Sequence, residues 1–363
     1  MDNIYNIDDI SYTLTEFCPG HCRYCSIWKL PDKRQDELKS QELDLLFSSK
    51  YLSIKKIHLT GGEPHKSPTY IRAVDSIHKY LPETVIDTPI SGWYPDLHEE
   101  TARYVTSRFP LYRLDISLDG DEKIYGKIRL YKDGFAKAVE TAKRLRAIPG
   151  MVVRFQFTIY VENYHLINWV YEFAKSLGVG LYIGFGRFNP DRFKNSFDNL
   201  TNRELTLSDF VPPKEIRQEI YKRLAEIGFD KSRYASKYYW QQAIWEKNPV
   251  RFDCYMGRRS IDIDPYGNVY PCLLWLPELR MGNIREAGSL DAVLESETAS
   301  NILAIIGEGG CKTKCLYTCA LKAKIIEPSV PAHGLKDYDD KYGFVFDEND
   351  LIPLAPWWDR ADG

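Results

Sequence analysis

An α/β fold built on a parallel sheet is what this sequence predicts, and three observations carry the expectation. Six short apolar, β-branched runs recur along the first half of the chain, stretches with helical spacing separate them, and the alternation is regular. The first run, residues 11–17, ends beside a cysteine cluster. The others fall at 54–59, 84–90, 112–118, 152–161 and 180–185, each rich in Ile, Leu, Val, Tyr or Phe. Between them, residues 41–47, 70–80, 99–109, 135–145 and 167–177 repeat apolar side chains every three or four positions. The last shows it most plainly, with Ile167, Val170, Phe173 and Ala174 on one stripe and Gly178 as a stop. Strand, helix, strand in this order demands crossover connections, so the sheet is parallel and its helices lie outside, as a partial barrel or an open doubly wound sheet.

The bulk properties narrow the class. The chain has 363 residues, 44% hydrophobic and 27% charged, enough for a large core plus an appendage. A formal charge of -3 offers no general attraction to nucleic acid or to an anionic membrane. The start, MDNIYNIDDI, is acidic where a secretory signal needs basic residues. No stretch approaches the roughly 18 apolar residues of a membrane span, so a cytoplasmic protein is expected, with neither membrane nor nucleic acid among its partners.

In that compartment thiols stay reduced, and clustered cysteines point to metal or redox chemistry rather than disulfides. The eight cysteines form two groups, Cys18, Cys22 and Cys25 near the start and Cys254, Cys272, Cys311, Cys315 and Cys319 near the end. In parallel α/β folds the loops at the C-terminal strand ends converge on one face. Cys18 follows the first strand there. Thr60-Gly61-Gly62-Glu63-Pro64 follows the second, with paired glycines that admit close backbone approach and a carboxylate. Ser117-Leu118-Asp119-Gly120 ends the fourth and offers a hydroxyl and a carboxylate suited to a ribose diol, although either motif alone reads equally as a turn. Three thiolates leave a structural zinc one ligand short unless His21 completes it, whereas they hold three irons of a 4Fe-4S cluster and leave the fourth open.

The C-x3-C-x2-C spacing with Tyr24 before the last cysteine, combined with the two loops, resembles the radical S-adenosylmethionine (radical SAM) superfamily over about the first 190 residues. The resemblance implies a partial (β/α)6 TIM-like barrel. It also implies a catalytic 4Fe-4S cluster on Cys18, Cys22 and Cys25, whose free iron chelates S-adenosyl-L-methionine, and a 5′-deoxyadenosyl radical that abstracts a substrate hydrogen. By the same resemblance Tyr24 lies beside the adenine, and Gly61, Gly62, Glu63 and Pro64 contact the methionine amino group. Ser117 and Asp119 become candidates for ribose or carboxylate contacts, Arg129 for the carboxylate, and Gly184-Phe185-Gly186 for backbone contacts to adenine. A low-potential electron donor such as flavodoxin or ferredoxin is implied as a partner.

Residues 201–250 read as a helical connector, with a charged helical stretch at 214–227 and aromatics at 238–240. Beyond them Cys254, Gly267 and Cys272 frame a hairpin whose turn, Pro-Tyr-Gly-Asn, carries both flanking cysteines to one end. Cys311, Cys315 and Cys319 recur at four-residue spacing, one face of a helix. Residues 251–325 thus resemble the small auxiliary-cluster domains called SPASM, or twitch when truncated, and 326–363 form a tail. Five cysteines imply one auxiliary 4Fe-4S cluster on Cys254, Cys272 and two of the last three; zinc on four thiolates is the alternative. The fifth thiol is either a small buried side chain or a hydrogen-atom donor.

The expected function is radical modification of a peptide or protein, by oxidative cross-linking, dehydrogenation or epimerization. A dehydrogenase or epimerase acting on a small molecule such as an aminoglycoside or sugar is the alternative, and a non-enzymatic metal-binding scaffold is a third reading.

Overall fold

A computed structural model describes residues 5–229, Gln241, Trp245, Cys254, 256–273 and 277–307. The expected Cys311, Cys315 and Cys319, the aromatics at 238–240 and the tail lie outside the described residues.

Six strands, β1 (Ile7–Thr13), β2 (Leu52–Thr60), β3 (Val85–Ile90), β4 (Tyr112–Ser117), β5 (Met151–Ile159) and β6 (Gly180–Phe185), pair in chain order, every pair parallel. The crossovers carry α1 (Ser40–Phe47), α2 (Tyr70–Tyr80), α3 (Pro95–Thr106), α4 (Glu122–Arg129), α5 (Gly134–Arg146) and α6 (Ile167–Leu177). After β6 come α7 (Pro190–Phe193), a two-stranded ribbon β7 (Phe197–Asp198) and β8 (Arg203–Glu204), and α8 (Lys214–Glu226), which packs on α6.

Side-chain alternation gives the sheet two unlike faces. Toward the helices point Ile10 and Tyr12, Ile57 and Leu59, Leu114 and Ile116, Phe155 and Phe157, all buried. Tyr12 meets Phe47 edge-on at 6.4 Å and Phe155 stacks on Phe173 at 6.0 Å. Each such side chain contributes about 1.5–3 kcal/mol, which makes this interface the main stabilising layer.

The opposite, inner face is charged. Arg154 forks onto Asp115 with two bonds of 2.7 Å, Lys56 and His58 face Asp87 at 3.5 and 3.6 Å, and Arg192 of α7 reaches Asp262 at 3.0 Å. Buried charges persist only when paired in this way.

The free edge of β1 is taken by β9 (Ser260–Ile263), parallel to it, followed by antiparallel β10 (Asn268–Tyr270) and β11 (Gly282–Asn283). The hairpin forms where the sequence placed it, with Gly267 at φ +87° and the Asp264 carboxylate accepting from the backbone of Tyr266 and Asn268, each at 2.9 Å. The first strands of residues 251–325 extend the six-stranded sheet into nine strands. Three short helices follow, α9 (Ile284–Ala287), α10 (Leu290–Leu294) and α11 (Glu297–Gly307).

Two expectations shift. The first strand lies at Ile7–Thr13 rather than 11–17, because Thr15 and Phe17 spend their carbonyls on Gly62 and Glu63 instead of a strand partner. Helix α4 was not expected. Gly126 interrupts its pattern, yet the Asp121 side chain caps it through Ile124 N–H at 2.9 Å.

Candidate functional site

All six parallel strands end on one edge, and the loops beyond them interlock through their backbones. Gly62 N–H donates to Thr15 O at 2.8 Å and Glu63 N–H to Phe17 O at 2.9 Å, joining the loops after β1 and β2. Ser91 N–H, beyond β3, donates to Glu63 Oε2 at 3.0 Å. Asn163, beyond β5, donates to Asp119 O at 3.0 Å and Thr158 O at 2.8 Å. Arg23 N–H donates to Ile128 O at 2.8 Å. Cys18, Cys22 and Cys25 sit in the middle of this assembly, partly buried.

The glycine pair serves the cysteines directly. A Cβ on Gly61 would stand 2.6 Å from Thr15 O, and one on Gly62 would fall on the Phe17 carbonyl and 2.8 Å from Cys18 Cβ. Only a bare backbone lets the two loops close. Gly20 repeats the device inside the cysteine loop, where a Cβ would strike the ring of Trp93 at 2.6 Å. Trp93 is buried, donates from Nε1 to Tyr125 Oη at 2.6 Å and stacks on Tyr131 at 4.0 Å.

Burial pushes all three thiols up, Cys25 to about 11, with Cys22 adding to the rise at both Cys18 and Cys25. Thiols so placed ionise when a metal centre supplies compensating charge. Arg129 stands beside Cys22 and opposes that rise. Its guanidinium is held by Asp119, Nε to Oδ2 at 2.5 Å, while Asp119 Oδ1 accepts from Thr158 N–H at 3.0 Å. Two residues expected to contact cofactor separately are thus one ion pair against a cysteine. Ser117 ends β4, and its hydroxyl makes no hydrogen bond among the described residues.

Glu63 is 1% exposed. Oε2 is bonded to Ser91, Oε1 has no partner among the described residues, and burial pushes the carboxyl up to about 7. A buried acceptor without a donor is an open place for an ammonium group. Pro64 opens a single 3-10 turn whose His65 is buried against His98 and Tyr112, each at 2.8 Å, a structural use of histidine.

Tyr24 stacks on Tyr160 at 4.6 Å, donates to Glu162 Oε1 at 2.6 Å and lies under the Arg23 guanidinium at 4.8 Å. Gly186 closes on the same Tyr160, where a Cβ would lie 2.6 Å from the ring. An aromatic wall therefore joins the end of the cysteine loop to the end of β6.

The residue types fit an iron-sulfur cluster with a small zwitterionic ligand, with three thiols on one loop, a buried carboxylate oxygen, a guanidinium and an aromatic wall, although no three His, Cys, Asp or Glu side chains among the described residues stand close enough to hold a metal as placed. The sequence pattern of the radical SAM superfamily matches residues 12–174, and that of an iron-sulfur cluster-binding domain, SPASM, matches 254–320. Over residues 12–174 the chain carries the radical SAM domain, and over 254–320 the SPASM domain. Domains of these two kinds hold 4Fe-4S clusters, the first together with S-adenosyl-L-methionine. The antilisterial bacteriocin subtilosin biosynthesis protein AlbA of Bacillus subtilis (strain 168) is 23% identical over 283 residues, covering 76% of this chain. The chain spans 56% of the length of that protein. Among solved structures, anSMEcpe with bound AdoMet has a TM-score of 0.57 at 15% identity, covering 96% of this chain and 99% of that one. Streptococcus suis SuiB bound to precursor peptide SuiA has a TM-score of 0.53 at 11% identity, covering 82% and 67%. At these identities the structural matches speak for the fold.

Several residues of this candidate site carry no sequence signal of their own. Trp93, Asn163, Tyr160 and Asn199 act through partners far along the chain, and only Gly20, inside the cysteine motif, hinted at a close approach.

The buried carboxyl gives a pH test. Because Glu63 titrates at about 7 folded and near 4.5 unfolded, its contribution favours the folded state at low pH and is lost as pH rises from about 4.5 to 7. The cluster-free Glu63→Gln protein should therefore gain on wild type across that window, by on the order of 3 kcal/mol at pH 8. Parallel denaturation midpoints from pH 4 to 8 would contradict this.

Proposed function

We propose that this radical SAM enzyme modifies a peptide or protein. The observation that carries the reading is the conjunction of a complete first cysteine loop with a SPASM match over the second cysteine group. Support for the peptide class comes from relatives: the curated match belongs to bacteriocin biosynthesis, and both anSMEcpe and SuiB have been solved with peptides bound.

In this reading Cys18, Cys22 and Cys25 hold the catalytic cluster, and the unpaired Glu63 oxygen accepts the methionine ammonium. The Arg129–Asp119 pair keeps a positive charge beside Cys22, while Ser117 offers its free hydroxyl to the ribose or carboxylate. Tyr24 and Tyr160 wall the adenine side and exclude water. Once bound, the cluster and S-adenosyl-L-methionine would supply one-electron radical chemistry that ends in hydrogen abstraction from the substrate. Cys254 and Cys272, with two of Cys311, Cys315 and Cys319, hold one auxiliary cluster. A flavodoxin or ferredoxin supplies the electron.

The test uses reconstituted, reduced protein. Formation of 5′-deoxyadenosine separates an enzyme from a scaffold. Stimulation of that formation by a cell extract, abolished when the extract is first digested with protease, supports a peptide or protein; protease-resistant stimulation transfers the reading to a small molecule. Running turnover in deuterium oxide separates the fates of the radical. Uptake of one solvent deuterium at carbon marks quenching by a thiol, and loss of activity with retained iron in a single Cys311, Cys315 or Cys319 alanine variant would name it.

A further inference from the structure

Residues 187–202, between β6 and α8, touch both cysteine regions. On one side Asn199 Nδ2 donates to the carbonyls of Cys22 at 2.8 Å and Cys25 at 2.9 Å, and Asn199 N–H donates to Arg23 O at 2.9 Å. Beside it, Asp198 takes the Arg23 fork at 2.9 and 2.8 Å, and Lys194 O accepts from Ser26 N–H at 2.9 Å. These bonds fix the peptide units on which Cys22 and Cys25 sit.

On the other side Asn189 Nδ2 donates to Leu273 O at 3.0 Å, the residue after Cys272. Arg192, three residues on, joins Ser11 of β1 at 2.8 Å and Asp262 of β9 at 3.0 Å, the strand that opens the hairpin. The two grips are themselves connected, because Asn189 N–H donates to Asn195 Oδ1 at 2.8 Å and Asn189 Oδ1 accepts from Arg192 N–H at 3.1 Å. Asn189, Arg192, Asn195 and Asp198 are all buried. A short, internally bonded segment anchored by buried polar side chains transmits displacement from one end to the other.

We propose that this segment is a strap that couples the two cluster sites, with Asn199 the positioning residue for the catalytic cysteine loop and Asn189 for the Cys272 turn. Filling one site stiffens the strap and slows metal loss from the other. The inference rests on the reading that both cysteine groups hold iron.

The experiment is an anaerobic chelator challenge, following iron release in the intact protein and in two backgrounds. Cys18, Cys22 and Cys25 are replaced by alanine in one, and Cys254 and Cys272 in the other. Asn199→Asp keeps the side-chain size but turns a donor into an acceptor facing two carbonyls. It should speed release from the catalytic site about tenfold, the ratio that about 1.4 kcal/mol of lost hydrogen bonding yields, and leave C-terminal iron unaffected in the background whose catalytic site is empty. Asn189→Asp should do the reverse. Coupling itself is read as slower loss of C-terminal iron when the catalytic site is full, a difference that vanishes in Asn189→Asp and in Asn199→Asp alike. Thermal midpoints of the iron-free proteins show whether a variant has merely failed to fold; Asn199→Ala and Asn189→Ala then serve as the milder pair. Release that ignores both asparagines, or that is the same whether the other site is full or empty, overturns the strap. Absence of iron from the Cys18, Cys22, Cys25 alanine background overturns the two-cluster reading, and the coupling with it.

Discussion

Replacing Arg129 by methionine is expected to cost the iron-free protein about 3–5 kcal/mol, the penalty for stranding one partner of a buried ion pair. Asp119 is 1% exposed, and its Oδ2 accepts from Arg129 Nε at 2.5 Å. With the guanidinium gone, the carboxylate faces Cys22 and the phenols of Tyr125 and Tyr160 with only Thr158 N–H on its other oxygen. Arg129 itself is held strongly cationic: burial alone would weaken it, but Asp119 and Cys22 outweigh burial. Changing Asp119→Asn together with Arg129→Met removes both charges and should recover most of the loss, since a neutral pair leaves no uncompensated ion. Denaturant midpoints of the two variants decide it. A single variant within about 1 kcal/mol of wild type would show that the pair is solvated and not structural. If the charge serves the cluster as well, the stable double variant should still assemble the catalytic cluster poorly.

Gly62→Ala is expected to empty the catalytic site while sparing the second cysteine group. The added methyl would lie on the Phe17 carbonyl and 2.8 Å from Cys18 Cβ, both rigid partners. Relief requires the loop carrying Cys18 to move away from the loop carrying Glu63, which breaks the bonds from Gly62 N–H and Glu63 N–H. Overpacking of this kind costs roughly 1–3 kcal/mol, and here the displaced atoms belong to Cys18, a proposed cluster ligand. Catalytic iron should fall by more than half, and 5′-deoxyadenosine formation with it. Gly126→Ala, in the middle of α4 with open space around its Cβ position, is the matched control and should be neutral or slightly stabilising. Full iron content in Gly62→Ala would mean that the two loops are not held as closely as the structure shows.

Much of this architecture is legible in sequence because period and punctuation are local. Helices α2 and α6 and strand β6 begin and end where their apolar spacing, and for α6 and β6 the flanking glycines, say they should. The start of α3 at Pro95 was missed by four residues, although proline in a first helical turn is a start signal. The charged inner face was harder to anticipate. Parallel strands covered on both sides ordinarily read as continuous apolar runs, and here R-L-D-I-S and R-F-Q-F-T alternate because Arg154 and Asp115 satisfy each other across neighbouring strands. The cysteine motif, the Gly-Gly-Glu-Pro loop and the Ser-Leu-Asp-Gly loop could be placed on one face from topology alone. What each does there depends on distant partners, such as Asn199, 177 positions from Cys22. No short-range pattern encodes a contact of that kind.

The central claim is that two separate cysteine groups each hold an iron-sulfur cluster in one radical SAM enzyme. An anaerobic iron and sulfide count on wild type and on the protein with Cys18, Cys22 and Cys25 replaced by alanine, with absorbance and paramagnetic spectra, tests it most directly. The account predicts about four irons remaining in the variant, one cubane, with cleavage of S-adenosylmethionine abolished. A variant with no iron and no sulfide would contradict it, leaving the C-terminal cysteines to zinc or to no metal at all.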